Sequence, residues 1–232
     1  DCEIYDNYMD NHLSLVNVQT NPTGGRSVRV HHNVFDLKSR AGGHGYGIEL
    51  TINDAEIDHN WFNGGSYGIA HWAPTICSNW SIHHNTFNGL NSGWPGTVLR
   101  AQVSGLHNVR FFNNTVELSG TTTINVVGLH GGKSDNVQLK NNLFIDSNTS
   151  YSFWPNPLIF MENGASLSGL HVTHNLFQKM PIGNVSGTYA NNLTVDPQIT
   201  RSGARPTPYY VPKNGSPLID AGTNVGLPFQ GS

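Results

Sequence analysis

Ile57-Asp58-His59-Asn60-Trp61-Phe62 and Ile82-His83-His84-Asn85-Thr86-Phe87 share one pattern: an apolar residue, two polar positions, Asn, a variable residue and a large apolar one. Upstream it appears as Ile4-Tyr5-Asp6-Asn7-Tyr8-Met9 and Val30-His31-His32-Asn33-Val34-Phe35. Downstream it returns as Phe111-Phe112-Asn113-Asn114-Thr115-Val116, Leu139-Lys140-Asn141-Asn142-Leu143-Phe144 and Val172-Thr173-His174-Asn175-Leu176-Phe177. A degenerate copy closes the series at Tyr189-Ala190-Asn191-Asn192-Leu193-Thr194. The steps between successive asparagines are 26, 27, 25, 29, 28, 33 and 17 residues.

A near-constant period means one structural unit per repeat, stacked on its neighbours. Alternation at period 2 beside each Asn excludes a helical solenoid and fits short strands. Three strands and three turns fit in one such unit. Stacked strands place equivalent residues about 4.8 Å apart, close enough for identical amide side chains to hydrogen-bond along the stack. Asn7, Asn33, Asn60, Asn85, Asn114, Asn142, Asn175 and Asn192 are therefore read as a structural ladder at one turn. Inward residues on the strand before each Asn include Val28/Val30, Ala55/Ile57 and Trp80/Ile82. Phe35, Phe62 and Phe87, with Phe144 and Phe177 further along, form an aromatic core row. The expectation is an all-β parallel solenoid of about seven to eight coils.

Composition agrees. The 232 residues include 26 glycines and 28 asparagines, and the asparagines outnumber all Asp, Glu, Lys and Arg together. Both residue types are poor in helices and good in turns. The net charge is −3 with no basic stripe, so nucleic acid is not an expected partner. No apolar run approaches the roughly 20 residues of a membrane span. Cys2 and Cys77 have no metal or redox spacing. Placed about three coils apart, they are too distant for a disulfide, which needs Cα atoms within about 7 Å.

The repeat resembles the right-handed parallel β-helix superfamily, which includes polysaccharide lyases, epimerases and hydrolases of secreted bacterial proteins. Asp196-Pro197-Gln198, Tyr209-Tyr210-Val211 and Ser216-Pro217-Leu218-Ile219-Asp220-Ala221-Gly222 resemble the segment that closes such helices. The implied organisation is a β-helix over 1–195, truncated at its N-terminal end, and a closing segment over 196–232. Further coils or a neighbouring subunit are expected to cover the first coil, because a bare coil end exposes unpaired strand. The resemblance implies a secreted or cell-surface protein.

In those relatives the sugar chain lies along the sheet after the longest glycine-rich turn. Here its copies are Gly47-Ile48-Glu49-Leu50, Gly68-Ile69-Ala70-His71-Trp72, Thr97-Val98-Leu99-Arg100-Ala101, Ile124-Asn125-Val126-Val127 and Leu158-Ile159-Phe160-Met161-Glu162. Alternation points Glu49, Arg100, Asn125 and Glu162 outward. Arg100, a bidentate partner for a sugar carboxylate, and His71, a base at the sheet rim, are the candidate catalytic pair. Glu49, Tyr67, Trp72, Trp94 and Asn125 are the candidate substrate-binding residues. His44, His130 and Lys133 lie near the same strand edges. Glu49 and Glu162 are roughly 19 Å apart at strand spacing, too far for a glycosidase carboxylate pair.

On the neighbouring sheet His32, His59 and His84 recur at one position beside the rows Glu3, Arg29, Glu56 and His31, Asp58, His83. They read as a solvated ladder with alternating charge, and neither a metal nor a cofactor is expected. The functional reading is a carbohydrate-active β-helix that binds a polysaccharide, with lyase- or epimerase-like cleavage or modification as its candidate reaction. The alternative is a non-catalytic adhesin, filament or matrix module.

Overall fold

The structure, a computed structural model, describes residues 2–10, 14–19, 27–37, 45–90, 96–118, 124–147, 158–183, 185–201 and 210–227. It is a parallel β-solenoid with three sheets and no described helix, so no helix here is long and apolar enough to cross a membrane. Sheet A stacks Cys2–Tyr5, Val28–His31, Ala55–Asp58, Cys77–His83, Leu106–Phe112, Lys133–Lys140, His171–Thr173 and Thr188–Ala190; Ser166–Ser168 also pairs with Lys133–Lys140. Sheet B stacks Tyr8–Asp10, Val34–Leu37, Trp61–Gly64, Thr86–Asn88, Thr115–Leu118, Leu143–Asp146 and Leu176–Gln178. Sheet C stacks Ser14–Gln19, Tyr46–Thr51, Tyr67–His71, Gly96–Ala101, Ile124–His130 and Ile159–Glu162. Only the 6 coils represented in sheet C have a described strand on every face. That is fewer than the Asn spacing suggested, because the last Asn copies continue on sheets A and B alone.

The repeated Asn sits at the corner between sheets A and B. From Asn33 to Asn192 each side-chain amide donates to a carbonyl of the previous coil. The Asn60 amide donates to the carbonyls of Val30 (2.8 Å) and Asp58 (3.0 Å) and to Asn85 Oδ1 (3.0 Å). Its own Oδ1 accepts from the backbone N–H and the side-chain amide of Asn33, both at 3.0 Å. Equivalent bonds join Asn85 to Asn114, Asn114 to Asn142, Asn142 to Asn175 and Asn175 to Asn192. Asn33, Asn60, Asn85, Asn114, Asn142 and Asn175 are buried; Asn192 is half-buried and Asn7 exposed.

The residue before each Asn holds the corner open. Asp6, His32, His59, His84, Asn113, Asn141, His174 and Asn191 all have φ between 54 and 57°. Asp, His and Asn are the non-glycine residues that best tolerate this left-handed region, which explains their exclusive use there.

Inside, Phe35, Phe62 and Phe87 stack at 4.8 and 4.5 Å. Gly47 and Gly68 make room for them: a Cβ on either would come within 2.7 Å of the Phe62 or Phe87 ring. The next coil replaces the ring with Val116, and Val98 lies between Thr97 and Leu99 as Gly68 lies between their partners Tyr67 and Ile69. Phe111, arriving from sheet A, then links Phe87 to Phe144 at 5.9 and 6.5 Å.

The C-terminal segment lies against the outer face of sheet B. Ile199 and Tyr210 pack on Trp61, Leu143, Ile145 and Leu176. The Tyr210 hydroxyl donates to Glu117, and Asn141 exchanges two hydrogen bonds with the Thr223 backbone at 2.7 and 3.0 Å.

Two consequences can be measured. Asn60→Ala leaves the Asn33 N–H without its acceptor in the interior, so it should lower unfolding free energy in denaturant by about 1–3 kcal/mol. His84 is held neutral by burial, with added repulsion from His83 and His59, and its pKa falls to about 4. The unfolded chain therefore takes up this proton first, and the stability tied to neutral His84 is intact above about pH 6.5 and lost as pH falls through about 4. His84→Asn, which installs the residue found one coil later at Asn113, should flatten the stability–pH curve in that window.

Candidate functional site

Sheet C turns a corner in its first residues. Val98 and Leu99 both face the core, as do Val126 and Val127. The strand register passes over Val98 for the same reason, pairing Thr97 with Tyr67 and then Leu99 with Ile69. After the corner, alternation resumes. One outer row is Asn17, Glu49, Ala70, Arg100 and Gly128; a second holds Gln19 and Thr51, then His130 and Glu162. Before the corner, Tyr46, Tyr67, Thr97 and Asn125 share a register position.

Arg100 is the centre of this face, and it is buried at 5% exposure. Its Nε donates to Gln102 Oε1 at 2.9 Å and its Nη2 to Glu162 Oε1 at 2.8 Å, with His130 Nδ1 3.0 Å away. The guanidinium carbon lies 5.9 Å from the centre of the Tyr67 ring. Glu162 bonds His130 in turn, and Asn163 donates to the His130 ring. Burial opposes the Glu162 charge, but the His130 and Arg100 hydrogen bonds outweigh it and hold the carboxyl below its ordinary value. One donor group is left over: Arg100 Nη1 is buried without a hydrogen-bond partner. Beside it, both amide atoms of Asn125 are also buried and unpartnered. A Cβ built on Gly128 would touch Asn125 Oδ1 at 2.9 Å and Arg100 Cδ at 3.3 Å, so that glycine is what lets the two side chains converge.

The sequence-derived residues fare unequally. Glu49 stands on the outer face, half-buried, and accepts from Asn17 at 3.1 Å. Asn125 shares the outer face but is fully buried rather than open to solvent. Tyr67, at 2% exposure, has Tyr46 stacked 5.2 Å away and Arg100 nearby, so its ring offers no free face to a sugar. Trp72 packs edge-on to both tyrosines and remains half-buried. Trp94 and His44 lie outside the described residues. Lys133 is exposed on sheet A.

His71 is the clear correction. Its ring is fully buried, in the inward register with Leu50 and Ala101. Nδ1 lies 3.1 Å from the Leu50 carbonyl, and Nε2 is 2.9 Å from both the Thr75 carbonyl and Ser104 Oγ. Desolvation lowers its pKa against the pull of those carbonyls. A ring locked into the core cannot take a proton from a substrate on the outer face. The imidazole that does share that face with Arg100 is His130. Gln102 and Tyr46 also belong to the cluster and were missed, although each is marked in the sequence by lying one coil from His130 or Tyr67.

Polar grooves also lie elsewhere among the described residues, two of them along sheets A and B. One, of about 470 Å³, follows the outer edge of sheet A past Asp54, Asn79, Ser81, Asn108, Arg110 and Gln138. There an exposed amide chain runs from Asn136 to Asn108 to Asn79 to Asp54 at 2.8–3.1 Å. The other, also about 470 Å³, lies between sheet B and the C-terminal segment at Asp146, Lys179, Asp196 and Arg201. The chain matches no protein-family model, no curated protein and no solved structure.

Both cysteines are free. Cys77 is buried beside His71, its sulfur 3.5 Å from Nδ1, and desolvation pushes its thiol up to about 11. A thiol-reactive disulfide reagent at pH 8 should therefore titrate one thiol, the exposed Cys2, in the native protein, and both after denaturation. Two rapidly reacting native thiols would contradict the buried placement.

Proposed function

We propose that this protein is a secreted or cell-surface carbohydrate-active β-helix that binds an acidic polysaccharide on the outer face of sheet C. The supporting observation is a pair of buried side chains with unsatisfied polar atoms, Arg100 at Nη1 and Asn125 at both amide atoms, which meet beside Gly128. An unpaired buried polar group costs about 1–3 kcal/mol and calls for an explanation. A sugar carboxylate accepting from both groups would remove that cost, and because both are buried its entry requires the side chains above them to move aside. The guanidinium fork suits a carboxylate, and the half-buried Trp72 offers an apolar edge for a ring. For a lyase or epimerase, the group placed to move a proton is His130, hydrogen-bonded to Glu162 and partly exposed, in place of His71.

A second reading is a non-catalytic surface module. Its specific support is that Arg100 already pairs with Glu162, two strands away in sheet C, much as a structural cross-strand tie would. A glycan array comparing uronate-containing polysaccharides with neutral ones separates the two. The expected result is selective binding of the acidic set by the parent protein and at least a roughly tenfold loss in Arg100→Ala, the scale of one charged hydrogen bond. Failure to bind any acidic glycan, or parent-level binding by a folded Arg100→Ala protein, would favour the structural module.

A further inference from the structure

Sheet A and its Asn corner carry a second polar cluster, independent of the glycan-binding proposal. Asp58 is fully buried at the end of its strand and takes a bidentate bond from Arg29, Nε to Oδ1 and Nη2 to Oδ2, each at 2.9 Å. Burial by itself would raise this carboxyl, but the bonds from His59 and Arg29 hold it well below the usual range. His59 Nδ1 lies 2.7 Å from Asp58 Oδ2. One coil earlier, His32 stacks on His59 with ring centres 4.8 Å apart. Glu3 and Glu56 flank Arg29 at 4.0 and 3.9 Å, so the three carboxylates exceed the one guanidinium by two formal charges.

We propose that His32, Asp58 and His59 form a binding site for one divalent zinc-class ion that clamps two neighbouring coils together. One nitrogen or oxygen from each of these three residues lies within 4.8 Å of the others. Bonds of about 2.0–2.2 Å to a shared zinc ion require donors within roughly 4 Å of one another, so the imidazoles close in by under about 1 Å. Because the two rings are parallel, that closure is a rotation of the exposed His32, which gives up its 2.8 Å bond from Nδ1 to His31 Nδ1 in exchange for the ion. Two imidazoles and one carboxylate are borderline donors that favour zinc, nickel or copper over calcium or magnesium. Asp58 Oδ2 has lone pairs for both Arg29 and the ion. The ion would take the place of the proton that now joins His59 to Asp58.

A second triad, Glu56, Asp58 and His83, also brings its donor atoms together. There, however, Arg29 lies against both carboxylates, and His83 Nε2 is already bonded to Glu56 at 3.1 Å. A positive guanidinium between two ligands opposes a cation. In the His32 triad Arg29 bonds one ligand of the three, Asp58, and His32 opens to solvent.

Zinc alone is the probe, titrated into the metal-free full chain by calorimetry, with calcium in parallel. The expected outcome is one zinc per chain, no calcium binding, and a melting temperature that rises with zinc concentration. His32→Ala and His59→Gln should each weaken zinc at least about tenfold. His174→Ala, on the same corner row but outside both clusters, should bind as the parent does. His32 is exposed, so its loss leaves the metal-free fold intact, checked by circular dichroism. No stoichiometric zinc, or parent-level affinity in a folded His32→Ala protein, would overturn the proposal.

Discussion

The buried asparagine amide is the constraint on which the rest of this molecule depends. From Asn33 to Asn175 it satisfies a carbonyl of the previous coil and the next amide in line, and at Asn33, Asn60 and Asn85 a carbonyl of its own coil as well. Backbone groups at a turn inside a stack cannot reach water, so a buried corner without such a partner would be costly. The amide solves this only when the coils are in register. A slip of one residue would put the Asn in the core or in solvent and reverse every side chain on the flanking strands. Length variation between coils is therefore absorbed elsewhere, in the turns away from the Asn corner. The steps of 25 to 33 residues along the first seven asparagines leave the corner itself unchanged.

That fixed corner also decides where polar chemistry gathers. The position before the Asn must be left-handed, which selects Asp, His and Asn. Stacking then brings imidazoles of successive coils face to face at 4.8 and 5.0 Å. Their tautomers are set by a relay. Asn113 Nδ2 donates to His84 Nε2, leaving the His84 proton on Nδ1 for His83 Nδ1, 2.9 Å away, and His83 Nε2–H for Glu56. On sheet C the same stacking multiplies a single arginine into a network. Arg100 reaches Gln102 on its own coil, His130 on the next and Glu162 on the one after. A solenoid can thus assemble a polar cluster from residues 62 positions apart in the chain.

The fold was legible in the sequence because its determinant is a residue type at a fixed spacing. The inward residues around each Asn, from Val28 and Val30 to Leu139, are buried as alternation required. The outer face of sheet C was legible only in part. Glu49 and Arg100 follow the alternation that holds after the corner. His71 does not fit an outward reading because its register partners, Leu50 and Ala101, are core residues, and its neighbour Trp72 takes the outer side. The double inward step at Val98–Leu99 has no signature in a chain where both residues are simply apolar. Burial of Tyr67 and Asn125 was equally invisible, since alternation gives the direction of a side chain and says nothing of what lies over it. The left-handed row at 6, 32, 59, 84, 113, 141, 174 and 191 was present in the sequence as an unbroken run of Asp, His and Asn.

The C-terminal segment changes how such a stack comes apart. A bare solenoid makes contacts only between adjacent coils and can unzip from either end, one coil at a time. Here Tyr210 reaches Glu117 across 93 residues, and the same segment covers Trp61, Leu143, Ile145 and Leu176 from several coils at once. Fraying of the final coils therefore has to strip an apolar strip from the side of the stack before the last strands can leave. The strap cannot dock until those coils exist, so it is a late event in assembly and an early barrier in dismantling. Its presence turns a string of nearest-neighbour contacts into one cooperative block on that side.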